Sequence, residues 1–226
     1  MRARKVVIRL LHGCIVRPRV IVNAAMSLDG KIALHDGRPV RLSNEADLER
    51  VHRLRASVDA ILVGVGTILK DDPRLTVKSA SGSTRNPLRI VLDSNGRTPA
   101  AAHVLDGQAA TLIVTSDECD RTFANADVLR CGKKQVDLAA LMARLSERGV
   151  KSVLVEGGST VIWSFLRGAV VDELKIFVAS VVLGGQSAPT LAGGRGVGSI
   201  SDAMRLRLDR SEPLGDGLLL EYSVVR

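Results

Sequence analysis

The alternation of apolar strand segments with amphipathic helices is the feature that most constrains the fold of this chain. Predicted strands lie at 19–27, 59–66, 87–94, 110–116, 127–131, 151–156 and 172–184, and predicted helices at 43–58, 136–149 and 159–168. Strands that are apolar throughout bury both faces, as in a parallel sheet covered by helices. Two final segments, 205–214 and 217–225, flank Gly215-Asp216 and predict an antiparallel hairpin. The pattern predicts a single three-layer α/β domain with a mixed, mainly parallel sheet.

Local signals at the helix ends agree with this alternation. Ser43 or Asn44 can cap the first predicted helix, and Asp137 can cap the second. Gly149 follows the last periodic residue of the second helix and is suited to end it.

The charge of the chain is concentrated at its beginning. The formal net charge is +8, but residues 1–19 hold six of the 32 basic residues and no acidic one. The remainder has 26 basic against 24 acidic residues and is therefore close to neutral. The chain also has only five aromatic residues with which to stack bases. We therefore expect no nucleic-acid partner.

Several other classes of protein are disfavoured by the sequence. No apolar run reaches the roughly 18 residues that a membrane helix needs, so no membrane span is predicted. Arg9 and His12 interrupt the apolar start and no cleavage site follows, which indicates a basic extension at 1–16 before a domain at 17–226. Three cysteines without a CxxC pair, and four histidines without HExxH, predict neither disulfides nor a metal site. A reducing cytoplasm is the expected location.

The stretch LVEGGSTVIW, residues 154–163, is the most informative candidate site. A strand ends at Glu156, and two glycines and two hydroxyl residues precede a helix. The glycines would let the backbone approach a ligand, and the helix N-terminus would offer N–H groups to an anion. A tight turn between the strand and the helix explains the same residues equally well. Neither a P-loop nor GxGxxG is present.

Other polar segments follow predicted strands, where ligands of open α/β sheets bind. These are SLDGKI (27–32), GVGT (64–67), LDSNGR (92–97) and TSDE (115–118). The first is most simply a turn at Asp29-Gly30, with a loop over the substrate as the alternative. No Ser-His-Asp or Cys-His set can be defended, so a hydrolase is disfavoured and a cofactor would supply the chemistry.

Four segments taken together resemble the reductase family of riboflavin biosynthesis, above all its stand-alone archaeal-type members. They are RPRVIVNAAMSLDGKIA (17–33), VHRLRASVDAILVGVGTILKDDPRLTV (51–77), NPLRIVLDSNGRTP (86–99) and SVLVEGGSTVIWSFLRGAVVDEL (152–174). The resemblance implies a dihydrofolate-reductase-like fold, a homodimer and NADPH as cofactor. It implies reduction of the ribosylamino group of a phosphorylated diaminopyrimidinone to a ribitylamino group. Bacterial relatives carry a fused zinc deaminase, but its HxE and PCxxC signatures are absent, so only reduction is expected.

The resemblance also implies roles for individual residues. The expected cofactor-binding residues are Ala25, Thr67, Asp71, Ser94, Leu129, Gly157, Gly158, Ser159 and Thr160. The expected substrate-binding residues are Arg55, Leu75 and Glu156, with Arg74 and Lys78 as candidates for the 5′-phosphate. Glu156 and Asp29 are the candidate proton donors, and a bound water is an equal contender.

Two arginines keep alternative interpretations. The resemblance implies that Arg55 faces the substrate, but a salt bridge to Glu45 or Asp59 would also explain an arginine at this position. Arg97 can recognise the 2′-phosphate of NADPH or lie in a solvated turn.

Two further functions stay open at this point. A dihydrofolate-reductase-like enzyme could act on another pterin or pyrimidine. A nucleotide-binding or nucleic-acid-binding module without turnover would instead show salt-dependent binding and no NADPH oxidation.

Overall fold

Nine strands of the described chain form one sheet, and four α-helices pack on it. The structure is a computed structural model that describes residues 17–77 and 86–226. The strands are β1 (Arg19–Ser27), β2 (Ala60–Gly64), β3 (Leu88–Leu92), β4 (Thr111–Thr115), β5 (Asp127–Arg130), β6 (Ser152–Val155), β7 (Glu173–Ala179), β8 (Leu206–Leu214) and β9 (Gly217–Val224). The helices are α1 (Glu45–Ala56), α2 (Val65–Asp71), α3 (Leu138–Glu147) and α4 (Ser159–Arg167), with short 3-10 helices at His103–Leu105 and Ile200–Asp202.

The strand order is β5-β4-β3-β2-β6-β1-β7-β9-β8. Every neighbouring pair from β5 to β7 is parallel, whereas β9 is antiparallel to both β7 and β8. The mixed sheet with a C-terminal hairpin is therefore confirmed. β6 lies between β2 and β1, so the turn that follows β6 emerges in the middle of the sheet.

Two apolar clusters cover the two faces of the sheet, which confirms the three layers. On one face α3 and α4 bury residues such as Leu145 and Phe165 against strand residues that include Val153. On the other face α2 buries Ile68 against strand residues that include Leu154. Adjacent residues of β6 thus point into opposite clusters, as the pleat of a strand requires.

The predicted caps of two helices are present. The Asn44 side chain accepts a hydrogen bond from the backbone N–H of Asp47 and caps α1. The Asp137 side chain accepts one from the N–H of Ala140 at 3.0 Å and caps α3. These bonds satisfy N–H groups that have no partner within the helix.

Two predicted boundaries were wrong. The predicted strand at 59–66 ends at Gly64, and the seven-residue helix α2 follows without having been predicted. The predicted strand at 172–184 ends at Ala179, because the following backbone turns toward the β1 loop. There the N–H groups of Leu183 and Gly184 donate to the Asp29 carboxylate instead of to a neighbouring strand.

Two features are absent from the described residues. No helix among them is long and apolar enough to cross a membrane. They also contain no cluster of three or more His, Cys, Asp or Glu side chains that could hold a metal ion. The predicted extension at 1–16 lies outside the described residues.

Candidate functional site

A cavity of about 830 Å³ opens beside the ends of β2 and β3 and the start of α4. This is the carboxyl edge of the parallel strands, where ligands of open α/β sheets bind. The cavity brings together six of the nine predicted cofactor residues: Thr67, Asp71, Ser94, Gly158, Ser159 and Thr160.

The turn after β6 forms one wall of this cavity. Gly157 has a φ of +117°, which side chains disfavour, and its peptide bond to Gly158 is cis. The Gly157 carbonyl accepts a hydrogen bond from the N–H of Gly64 at 2.9 Å, which ties the turn to the end of β2. A Cβ at Gly158 would lie 3.6 Å from the Thr67 hydroxyl. The stretch is therefore a tight turn that also exposes backbone to the cavity.

The N-terminus of α4 adds unsatisfied donors to the same wall. α4 begins at Ser159 with Gly158 as its N-cap, and no side chain caps it. The first N–H groups of a helix have no partner within the helix and favour an anion. The tight turn is therefore present, and the uncapped start of α4 is compatible with an anion at the same place.

The charged residues of the cavity wall are mostly basic. Lys70, Arg97 and Lys134 line it, with Asp71 as the acid among its lining residues. Burial raises the pKa of Asp71 above its usual value, against the opposing effect of Lys70. The wall therefore favours anionic groups such as phosphates.

A buried acid that sequence analysis did not single out holds the turn that carries Arg97. The Asp93 carboxylate is fully buried and accepts bonds from the backbone N–H and the hydroxyl of Thr98, at 2.6 and 2.7 Å. Its carbonyl accepts a bond from Gly96 at 3.0 Å. The available signal was an acid at a strand end followed by Asn-Gly, which favours a turn.

Arg55 and Glu156 form a buried ion pair next to the turn that follows β6. Two nitrogens of Arg55 donate to the two carboxylate oxygens of Glu156, at 2.9 and 2.7 Å. The side chains are 20% and 8% exposed, so the pair is largely desolvated. Burial opposes the charge on Arg55, but the Glu156 carboxylate raises the pKa of Arg55 above its usual value.

The alternative partners proposed for Arg55 are engaged elsewhere. Glu45 pairs with Arg41, and the Asp59 carboxylate accepts bonds from Lys151 and Ser152. The alternative of a salt bridge from Arg55 to Glu45 or Asp59 was therefore wrong. The observed partner of Arg55 is Glu156, another of the residues that the resemblance assigned to the substrate.

The segment after α2 approaches this ion pair. The carbonyl of Thr76 accepts a bond from Arg55 at 3.5 Å. Leu75 is 2% exposed and has a φ of +51°, so its side chain is anchored in the core. Arg74 is half-exposed and contacts Asp106, with 3.3 Å between the charged atoms. Lys78 lies outside the described residues.

Asp29 lies in the loop that leaves β1, and its carboxylate joins two loops. It accepts hydrogen bonds from the Ser27 hydroxyl at 2.6 Å and from the N–H groups of Leu183 and Gly184 at 3.0 and 2.8 Å. The bond from Ser27 is the main cause that lowers the pKa of Asp29 to about 2. A carboxyl group with this pKa carries no proton to donate at neutral pH.

Three predicted cofactor residues do not line the cavity described above. Gly157 lies in the turn behind its wall. Ala25 is half-buried in β1, where it pairs with Phe177 of β7. The Leu129 side chain is 5% exposed and belongs to the core that α3 and α4 cover.

Comparisons with known proteins identify relatives along almost the whole chain. The family model of the RibD C-terminal domain matches residues 18–220. The chain is 44% identical over 215 residues to the 2,5-diamino-6-ribosylamino-4(3H)-pyrimidinone 5′-phosphate reductase of Methanothermobacter thermautotrophicus, covering 92% of this chain and 99% of the relative. It is 36% identical over 220 residues to a protein of the same name from Aquifex aeolicus, covering 92% of this chain and 97% of that relative.

Solved structures agree on the fold. A deaminase/reductase from Thermotoga maritima superimposes with a TM-score of 0.78 at 30% identity, covering 92% of this chain and 57% of that one. Dihydrofolate reductase from Enterococcus faecalis superimposes with a TM-score of 0.51 at 13% identity, covering 92% and 97%, which supports the expected fold. On the strength of the match over residues 18–220, this chain belongs to the RibD C-terminal domain family.

Proposed function

We propose that this chain reduces the ribosylamino group of 2,5-diamino-6-ribosylamino-4(3H)-pyrimidinone 5′-phosphate to a ribitylamino group, with NADPH, in riboflavin biosynthesis. One observation carries the proposal. The turn at 156–158 joins a basic cavity to a buried Arg–Glu pair, in a chain 44% identical to a relative of that name over 99% of its length.

The cavity wall fits an anionic dinucleotide such as NADPH. Gly158 brings bare backbone to the wall, and Ser159 and Thr160 begin α4, whose N-terminus no side chain caps. Phosphates are favoured at such a helix start. The hydroxyls of Thr67 and Ser94 and the carboxyl group of Asp71 are available to hydrogen-bond the rest of the cofactor. When bound, NADPH supplies the hydride that the sugar carbon accepts.

The basic residues of the wall support NADPH over NADH. The Arg97 side chain belongs to the turn that Asp93 stabilises and is 58% exposed, so its guanidinium can reach the 2′-phosphate of NADPH. Lys70 and Lys134 line the same cavity. The guanidinium of an arginine can bind a phosphate through two parallel hydrogen bonds. NADH has no 2′-phosphate and cannot form these bonds with Arg97.

On the substrate side, Arg55 and Glu156 provide a fixed pair of donors and acceptors. Each carboxylate oxygen of Glu156 has lone pairs beyond those that Arg55 engages, and these can accept hydroxyl groups of the sugar. Leu75 and Arg74 lie on the adjoining segment. Arg74 supplies a cation for the 5′-phosphate, with Lys78 as the second candidate.

A bound water fits the role of proton source better than either candidate acid. Asp29 is ionised at neutral pH, since its pKa is lowered to about 2. Both oxygens of Glu156 are held by Arg55. Asp29 and Glu156 therefore act by holding neighbouring groups in place, and the proton comes from solvent.

We also propose a cytoplasmic homodimer. Leu206, Leu208 and Leu218 of the C-terminal hairpin are exposed, and a second copy could cover them. Among the described residues, Cys119 and Cys131 are free thiols, which suits a reducing compartment. Sedimentation equilibrium tests the assembly, for which we expect twice the 24.1 kDa of one chain.

The decisive experiment follows absorbance at the reduced-nicotinamide band. Purified protein is mixed with NADPH and the ribosylaminopyrimidinone phosphate, and the deaminated analogue and dihydrofolate are run in parallel. Oxidation of NADPH with the diaminopyrimidinone supports the proposal. Oxidation with this compound but not with its deaminated analogue places reduction before deamination. Turnover of dihydrofolate or another pterin alone would favour the broader reductase alternative. Binding of NADPH without turnover of any of them would contradict the proposed substrate.

A further inference from the structure

Arg74 is held at two points by residues that sequence analysis did not single out. Nη1 of Arg89 donates to the backbone carbonyl of Arg74 at 3.3 Å. The same Nη1 donates to Oδ1 of Asp106 at 2.9 Å, and Oδ2 of Asp106 accepts from Nη1 of Arg74 at 3.3 Å. Arg89 therefore fixes the main chain of Arg74 directly and its side chain through Asp106.

The support behind Arg74 is rigid. The Arg89 side chain is fully buried, and it also donates to the Thr111 hydroxyl at 2.9 Å and to the Ala109 carbonyl at 2.7 Å. Burial disfavours the Asp106 carboxylate, but the N–H of Gln108 and the Arg89 guanidinium lower its pKa below the usual value. Asp106 is therefore ionised at neutral pH, and a buried arginine keeps it in place.

The outward side of Arg74 remains open. Its side chain is 53% exposed, and among the described residues its side-chain contact is the one from Nη1 to Asp106. Nε and Nη2 remain for a ligand, and a guanidinium can bind phosphate through two such donors. Two residues further on, the Thr76 carbonyl contacts Arg55, so Arg74 lies on the segment that borders the Arg55–Glu156 pair.

We propose that Asp106 and Arg89 are positioning residues that hold Arg74 ready for the 5′-phosphate of the substrate. The proposal rests on the function proposed above and assigns the phosphate end of that substrate. A guanidinium held by a carboxylate on one side loses less conformational entropy when phosphate binds on the other.

The test compares Asp106→Asn, Arg74→Ala and the double variant, on the substrate and on the same compound without its 5′-phosphate. Removing a hydrogen bond to a charged group predicts a rise of about 10-fold or more in the KM of the phosphorylated substrate for Arg74→Ala. For Asp106→Asn we expect a rise of about 3- to 10-fold, because Arg74 remains but is no longer held. The double variant should be no worse than Arg74→Ala. The KM of NADPH and the KM of the dephosphorylated compound should not change.

A matched control is Asp127→Asn, since Asp127 pairs with Arg148 on the surface at 4.0 Å. It should alter none of these constants. KM does not depend on the folded fraction, so a loss of stability in Asp106→Asn would not mimic the effect.

Three results would overturn the positioning role while leaving the reductase intact. They are an unchanged or lower KM in Asp106→Asn, an equal rise with the dephosphorylated compound, or additive effects in the double variant. Absence of turnover by the wild-type protein would instead refute the proposed function, and this assignment with it.

Discussion

Gly64→Ala should force α4 away from the sheet and so weaken cofactor binding. Gly64 ends β2 and directly precedes α2, with φ of −85° and ψ of 156°, which any residue can adopt. A Cβ at this position would lie 2.6 Å from Cγ2 of Val161 in α4. The substitution therefore tests packing against α4 without backbone strain.

The size of the effect follows from that distance. Carbon atoms pack best at roughly 3.5–4.0 Å, so the added methyl is about 1 Å too close. Valine in a helix has one strongly preferred rotamer, so Val161 cannot easily turn away. Overpacking of this kind costs about 1–3 kcal/mol. For a chain of 226 residues this lowers the Tm by about 2–12 °C, taking about 2–4 °C per kcal/mol.

The assay combines thermal unfolding with steady-state kinetics. In Gly64→Ala the KM of NADPH should rise more than the KM of the pyrimidine, because the first turn of α4 lines the cofactor cavity. Val161→Ala removes the clashing methyl and, as a half-buried truncation, should itself cost about 1 kcal/mol. The double variant should recover most of the Tm and of the NADPH affinity.

The reasoning predicts a favourable coupling of about 0.5–3 kcal/mol between the two substitutions, as is found for residues in contact. Additive losses in the double variant would refute it, as would a Gly64→Ala protein with the Tm and the KM values of the wild type.

Three further predictions concern other parts of the site. Glu156→Gln should raise the substrate KM by about 10-fold or more while leaving the NADPH KM unchanged, since it removes the charge that holds Arg55; equal rises in both constants would argue against a substrate-side role. Asp29 has a pKa of about 2, so its stabilising effect is complete above its unfolded value of about 3.9 and is lost as the pH falls toward 2. The Tm of the wild type should therefore drop more steeply below pH 4 than that of Asp29→Asn, and parallel Tm curves would contradict this. Leu129→Ala should lower stability by about 2–5 kcal/mol with no change in the NADPH KM, because its side chain is 5% exposed in the core; a raised NADPH KM at an unchanged Tm would identify a cofactor contact instead.

The central strands were predictable because their segments are mainly apolar. The predicted strand at 19–27 is Arg19–Ser27, and that at 110–116 is Thr111–Thr115. The helix α2 was missed because it has only seven residues, with Gly66 among them, and depends on burying Val65 and Ile68 against the sheet. Tertiary burial overrides weak helix propensity in such a segment.

The order of the strands could not be derived from local sequence. β6 pairs with β1 and β2, from which it is separated by more than 80 residues, and no local pattern encodes such a partner. The same limit applies to the site. Arg55 and Glu156 are 101 residues apart and were associated only through the family resemblance. Arg89 was read as part of an apolar strand, so its buried contacts with Asp106 were not foreseen.

The insertion of β6 between β2 and β1 explains why two different ligands can meet at one short turn. Leu154 points into the cluster that α2 covers, so Glu156 lies on the same side, where Arg55 reaches it from α1. α4, which begins immediately after Gly158, packs on the opposite side through Ile162. Within three residues the chain therefore passes from the Arg55–Glu156 pair to the first turn of α4, which lines the proposed cofactor cavity. A hydride donor and its acceptor must come into contact for the transfer, and a turn that crosses the sheet edge in so few residues provides that proximity.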